Sequence, residues 1–228
     1  MQAVTTPSLL ATLRDRYPET VRPRPRYELA LRGPMAVLTI RGFGDDRTPG
    51  VAPYPAFPES VFRELAAKKT AGLIIDLRGN GGGVDDYGKL LLAHVMDKPF
   101  LYYKALEMCD NRFEVFRRAG ADQAALDRQT QGLQRNRRGW FDVPGHPNSG
   151  IQQPREPHFA GSVVILIDGL SFSTTGETTS LFHYHHKARF VGEECGAGYY
   201  GNTSGFGMAV TLPRTGAALA PFDTLVST

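Results

Sequence analysis

Ser162-Val-Val-Ile-Leu-Ile-Asp-Gly-Leu-Ser-Phe-Ser-Thr-Thr-Gly-Glu177 is the stretch whose reading decides the fold. Its unbroken apolar run suits a strand buried on both faces rather than an amphipathic helix. The run stops at Asp168-Gly169, a cluster of hydroxyl residues follows, and from Thr174 to Lys187 the chain lacks proline and carries one early glycine. That order reads as strand, sharp turn, helix, with Ser171 and Ser173 at the joint. A serine placed there lies at the carboxyl end of a buried strand and beside the positive end of a helix. Both favour a nucleophile whose attack creates negative charge. The same hydroxyls also suit a helix cap, and this window alone leaves both readings open.

Working outward, Gly72–Leu77 is a second buried strand that runs into Arg78-Gly-Asn-Gly-Gly-Gly83. A dinucleotide fingerprint starting at Gly79 needs a glycine where Val84 stands, and the Gly-Lys-Ser/Thr of a phosphate loop does not follow. What the run offers is backbone N–H groups open to close approach, at a strand end and a helix start, suited to an anion or an oxyanion. A tight turn without a ligand is the other reading. If the two strands are near neighbours, a row of amides and a candidate nucleophile meet at one edge of the sheet, the geometry of acyl transfer.

The remaining chain fits around these two units. Residues 1–25 read as an N-terminal extension, with a helix over Thr6–Arg16 and an extended Pro/Arg connector from Val21; residues 26–228 read as one core. Met35–Arg41, Phe100–Ala105, Arg189–Gly192 and Gly207–Leu212 are expected strands. Glu59–Lys69 and Asp85–Met96 are expected helices, and Trp140–Phe159, rich in proline, a long loop. Strand–helix alternation predicts an α/β fold with a largely parallel sheet. At 228 residues, 41% hydrophobic and 21% charged, the chain has the composition of a globular domain. A net charge of +3 argues for neither nucleic acid nor membrane, and no apolar run approaches the roughly 20 residues that span a bilayer. The basic stretch Asn111–Arg138 reads as a solvated helix pair or lid, because aromatic interleaving is thin. Cys109 and Cys195 have no metal-ligand spacing and read as free thiols, and Met1–Pro25 lacks the apolar stretch of a signal peptide.

Three ordered blocks then carry a resemblance. Gly72-Leu-Ile-Ile-Asp-Leu-Arg-Gly-Asn-Gly-Gly-Gly83 resembles a signature of the C-terminal processing (tail-specific) serine proteases, a family that includes the tricorn core domain and the interphotoreceptor retinoid-binding repeats. Ser171-Phe-Ser-Thr-Thr-Gly-Glu177 is similar to its nucleophile motif, and Arg189-Phe-Val-Gly-Glu-Glu194 to its Val-Gly-Glu block. The resemblance implies a crotonase-like spiral core with Ser173 as nucleophile and Ser171 in support. It also implies an oxyanion hole made by the amide of Thr174 and an amide of the Gly81–Gly82 pair. A serine endopeptidase acting on a peptide or protein substrate follows, with no cofactor, no metal and no nucleic-acid partner, in an extracytoplasmic location.

One branch of that family activates its serine with a lysine shortly after the Val-Gly-Glu block, and Cys195–Gly207 contains no lysine. The chain therefore resembles the tricorn and retinoid-binding branch more closely. That branch draws a histidine from an Asp-Gly-His-Thr element, not found before Met35, and a downstream glutamate expected near or beyond Thr228. The expectation is a core truncated at both ends, or else a non-catalytic binding module of the same fold that has lost its base. Of the local histidines, His183, His185 and His186 lie ten or more residues along the helix from Ser173, about 15 Å at 1.5 Å per residue. His94, His146 and His158 remain as bases to test. Asn202-Thr-Ser204 matches a glycosylation acceptor but reads as a polar turn.

Overall fold

The structure, a computed structural model, describes residues 11, 15, 25–45, 53–54, 56–118, 120, 122–203, 210–211, 214–216, 218–219 and 224–227. The expected helix over Thr6–Arg16 and most of the Val21 connector lie outside these residues. In chain order the elements that build the core are β1 (Tyr27–Arg32), β2 (Met35–Ile40), α1 (Ala56–Ala67), β3 (Gly72–Asp76) and α2 (Asp85–Ala93). After them come β4 (Phe100–Leu101), β5 (Ala105–Met108), α3 (Glu114–Arg118), α4 (Gln123–Thr130), β6 (Gln134–Arg135), β7 (Phe141–Asp142) and β8 (Ile151–Gln152). The chain continues through β9 (Ser162–Ile167), α5 (Thr174–Tyr184), β10 (Arg189–Gly192), β11 (Gly201–Asn202), β12 (Val210–Thr211), β13 (Ala218–Leu219) and β14 (Thr224–Ser227).

The central sheet has the order β1-β2-β3-β9-β10. Its β1–β2 pair is an antiparallel hairpin, and the other three pairings are parallel. This is the α/β architecture with a largely parallel sheet. The apolar alternation of each strand sets its inner face: Ala36, Leu38 and Ile40 on β2, Leu73 and Ile75 on β3, Val163 and Ile165 on β9. Helix α1 adds Val61, Phe62 and Leu65 to this core, and α2 adds Leu91 and Leu92. The opposite face of β9 is only half-buried at Val164 and Leu166, so the two-sided burial expected there is incomplete.

Three further readings need correction. A second, antiparallel sheet of order β11-β14-β5-β7-β6 has no counterpart in the sequence reading. It divides the strand expected at Phe100–Ala105: Phe100–Leu101 pairs with β8, while β5 starts at Ala105 and pairs with β14 and β7. The proline-rich 140–159 segment is not one loop but contributes β7 and β8. Two-residue strands are too short to show a periodicity of two, which is why they were not legible. The basic stretch does form a helix pair, α3 and α4, closing a small core of Met108, Phe113 and Leu126. Two of its arginines are engaged within the pair, Arg117 with Asp127 at 2.7 Å and Arg118 with Glu114 at 3.3 Å, and Arg138 reaches Glu107 of β5.

α5 is unusual for a helix that crosses the core. Every residue from Thr174 to Phe182 is buried although four are threonine, one is serine and one is glutamate. Hydroxyls can be buried there because they bond back to their own helix. Thr178 Oγ1 donates to the Thr174 carbonyl at 2.7 Å and Thr179 Oγ1 to that of Thr175 at 2.8 Å.

Candidate active site

β3 and β9 are direct parallel neighbours, with Asp76 opposite Leu166, so the two chain segments that leave them run side by side. Four hydrogen bonds stitch these segments together. The Leu77 amide donates to the Leu166 carbonyl at 2.9 Å, and the Phe172 amide to the Asn80 carbonyl at 3.0 Å. The Gly79 amide donates to Asp168 Oδ1 at 2.9 Å, and Ser171 Oγ to the Leu77 carbonyl at 2.9 Å. The glycine run and the serine turn thus meet at one edge of the sheet.

Ser171 and Ser173 differ in every respect that matters. Ser171 is fully buried; its hydroxyl also accepts from the Asp168 amide at 3.1 Å, and its carbonyl accepts from the Gly196 amide and the Cys195 thiol. Ser171 is a pin. Ser173 occupies the N-cap position of α5 at φ 55°, ψ −128°, and its side chain makes no cap hydrogen bond. Among the described residues, nothing hydrogen-bonds its hydroxyl. A positive φ on a non-glycine residue costs on the order of 1–3 kcal/mol and persists only where its surroundings hold it. Neither serine caps the helix, so the capping alternative is set aside.

The surroundings that hold Ser173 are the glycine run and the segment after β2. A Cβ on Gly82 would stand 2.7 Å from the Phe172 carbonyl oxygen, 2.7 Å from Ser173 Cβ and 2.9 Å from the Thr174 nitrogen. A Cβ on Gly83 would collide with the backbone of Phe43, which bonds the run from the other side. There the Phe43 amide donates to the Gly82 carbonyl at 2.8 Å and the Val84 amide to the Phe43 carbonyl at 2.6 Å. The two glycines are therefore demanded by close backbone approach. Gly81 faces open space. The Gly82 amide donates to Asn80 Oδ1 at 3.0 Å, and among the described residues no acceptor takes the Gly81 amide. The Thr174 amide lies in the first turn of α5, where backbone donors lack intrahelical acceptors and the helix end is positive.

Two carboxylates brace this edge. Asp168 accepts from the Gly79 and Leu170 amides, and the Gly79 bond first of all holds its carboxyl below the usual range. Asp76 is held low by the bidentate Arg78 side chain, at 2.9 and 2.7 Å. Behind the serine turn lies a buried polar cluster that the sequence reading missed. Asp85, the first residue of α2, accepts from Thr174 Oγ1 at 2.6 Å and from the Tyr103 hydroxyl at 2.7 Å. Glu177, 2% exposed, accepts from Asn202 Nδ2 at 2.5 Å and faces the Tyr102 hydroxyl at 3.4 Å. Burial first, then the charge of Asp85, pushes the Glu177 carboxyl up to about 7. Only the acidic residue after the glycine run and the glutamate closing the serine motif hinted at these two.

Among the described residues no histidine hydrogen-bonds Ser173. His94 is buried, stacks on Phe62 and donates from Nδ1 to the Pro157 carbonyl at 3.0 Å. His158 donates from Nε2 to the Val95 carbonyl at 3.3 Å. His146 stacks on Tyr103, and its Nδ1 accepts from the Asn148 amide at 3.2 Å, so the proton of the neutral ring sits on Nε2. His183 bonds the Tyr199 hydroxyl at the far end of α5. Asn202 is committed to Glu177, so the glycosylation match is a structural amide. Among the described residues no cluster of His, Cys, Asp or Glu could hold a metal, and no helix is long and apolar enough to cross a membrane.

The model of peptidase family S41 matches residues 34–216, which take in both strand ends, the glycine run and the serine turn. The chain belongs to peptidase family S41. Two solved structures share the fold of this S41 chain. Mature CPAF in complex with lactacystin is 19% identical, with 90% of this chain and 45% of that one aligned at a TM-score of 0.56. The photosystem II D1 C-terminal processing protease is 16% identical, with 85% of this chain and 38% of that one aligned at 0.51. The chain thus spans about half the length of the solved structures it matches, or less. No curated protein matches it.

Proposed function

We propose that the chain is the core of a serine endopeptidase in which Ser173 attacks a peptide carbonyl. The observation that carries this reading is the strained Ser173, its hydroxyl unbonded among the described residues, held at the positive end of α5 against the glycine run. As the tetrahedral intermediate forms, negative charge grows on the carbonyl oxygen, and in this reading two amides receive it. One is Thr174. Of the Gly81–Gly82 pair the other is Gly81, because the Gly82 amide is taken by Asn80. Collapse of the intermediate expels the amine and leaves an acyl-enzyme on Ser173, which water hydrolyses.

The general base comes from outside the described residues, and we assign the chain to the histidine-dependent, tricorn-like branch. The absence of lysine from Cys195–Gly207 supports that assignment. So do Lys89 and Lys187, which are engaged with Asp86 and Asp97. The core is read as residues 26–228, a boundary supported by β1 starting at Tyr27. A second reading, a peptide-binding module of the same fold, is favoured by the one observation that no described histidine bonds the Ser173 hydroxyl. Incubation of the full-length protein with an unfolded protein substrate separates the two. A peptidase yields fragments that disappear with Ser173→Ala and persist, more slowly, with Ser171→Ala. Fragments that survive Ser173→Ala, or binding without cleavage, reject the catalytic reading.

A further inference from the structure

The geometry points to Asp85 as a positioning residue, which fixes the backbone of Ser173 and Thr174 through the Thr174 hydroxyl. The inference rests on Ser173 being the nucleophile. A left-handed serine does not hold its own conformation; contacts on both sides must impose it. On the N-terminal side these are backbone bonds, from the Phe172 amide to Asn80 and from the Gly196 amide to the Ser171 carbonyl. On the C-terminal side the side-chain tie is Thr174 Oγ1, 2.6 Å from Asp85 Oδ1 and 3.0 Å from the Gly83 carbonyl. The single hydroxyl hydrogen favours the shorter, charge-assisted bond to Asp85.

Asp85 is itself immobilised. It opens α2, where a negative side chain complements the helix dipole. Its second oxygen accepts from Tyr103, which lies against the buried Glu177 and Tyr102 and the half-buried His146. Thr174 is fully buried, and its methyl faces Gly88 of the same helix, so the side chain has no other place to go. Asp85 touches neither Ser173 nor the open face of Gly81, yet it sets the helix start on which the Thr174 amide and the Ser173 hydroxyl are aimed. A displacement of 1 Å at such a group costs about 100-fold in rate.

The test measures fluorophosphonate labelling of Ser173 as a function of reagent concentration, with thermal unfolding alongside, in the full-length parent protein and four variants. Asp85→Ala and Thr174→Val are expected to lower the saturating labelling rate about 100-fold with the half-saturating concentration unchanged. Thr174→Ser restores the rate to within a few-fold. Asp85→Asn, which keeps an acceptor oxygen without its charge, falls about tenfold and replaces Asp85→Ala if that variant does not fold. Parent-like labelling of Asp85→Ala and Thr174→Val overturns the proposal, as does an equal loss in Thr174→Ser. If the parent itself is not labelled, the nucleophile reading fails, and crystal structures of the parent and Asp85→Ala decide the positioning role separately. Ser173 leaving its positive φ in the variant supports it, and an unmoved Ser173–Thr174 backbone overturns it.

Discussion

Gly88 lies inside α2, where replacing glycine by alanine ordinarily stabilises a helix by about 1 kcal/mol. The opposite is expected here, because α2 and α5 cross at this residue. A Cβ on Gly88 would stand 2.8 Å from the Tyr102 hydroxyl, 2.9 Å from Thr174 Cγ2 and closer still to Thr178 Oγ1. None of the three can swing away. Thr174, Thr178 and Tyr102 are all fully buried, and the Thr178 hydroxyl is tied to the Thr174 carbonyl and to Tyr102. Forcing a methyl into a packed site costs about 1–3 kcal/mol, and each disturbed hydrogen bond adds about 1 kcal/mol. After the helix-propensity gain, Gly88→Ala is expected to destabilise the fold by about 2 kcal/mol. For a chain of this size that lowers the thermal midpoint by about 4–8 °C. Urea unfolding reads it as a lower midpoint at unchanged slope. A variant as stable as the parent, or more so, would refute the close crossing on which the packing of Thr174 depends.

Other perturbations separate strain, pinning and proton binding. Ser171→Ala leaves the Asp168 amide without its partner and takes one of two donors from the buried Leu77 carbonyl, which keeps the Asn80 amide, and should cost about 1–3 kcal/mol in urea unfolding. Ser173→Gly relieves the positive φ and should gain about 1 kcal/mol while abolishing labelling, the opposite pattern. An unchanged or lower stability would mean that Ser173 stores no strain. For Glu177 the folded carboxyl keeps its proton up to about 7, whereas the unfolded one releases it near about 4.3. Between those values the folded state binds more protons, so stability contributed by this group is present at the acid end and lost as pH rises towards 7. Subtracting the stability–pH curve of Glu177→Gln from that of the parent should show that decline, and a flat difference would refute it.

The parallel sheet and the site edge were legible because long buried strands announce themselves. Val163–Ile167 and Gly72–Leu77 leave little alternative to neighbouring strands, and their register brings the glycine run to the serine turn. The antiparallel sheet was not legible, since β6, β7 and β11 are two residues each and the sheet joins β5 to β14 across more than a hundred residues of sequence. The carboxylates behind the site were hidden for a related reason. Asp85 looks like any acidic residue in a first helical turn, and only the crossing at Gly88 puts it against Thr174. The glycine run was legible as a segment open to close backbone approach, but the division of labour within it was not. That Gly82 serves packing and Gly81 faces outward depends on Asn80 and Phe43, whose roles no local pattern shows.

The central claim is that Ser173 is the activated nucleophile, and intact-mass analysis after fluorophosphonate treatment tests it most directly. In the full-length protein, where the proposed histidine base is present, the account expects one adduct per chain, mapped by peptide sequencing to Ser173, absent from Ser173→Ala and retained by Ser171→Ala. No adduct, or an adduct that survives Ser173→Ala, would contradict it.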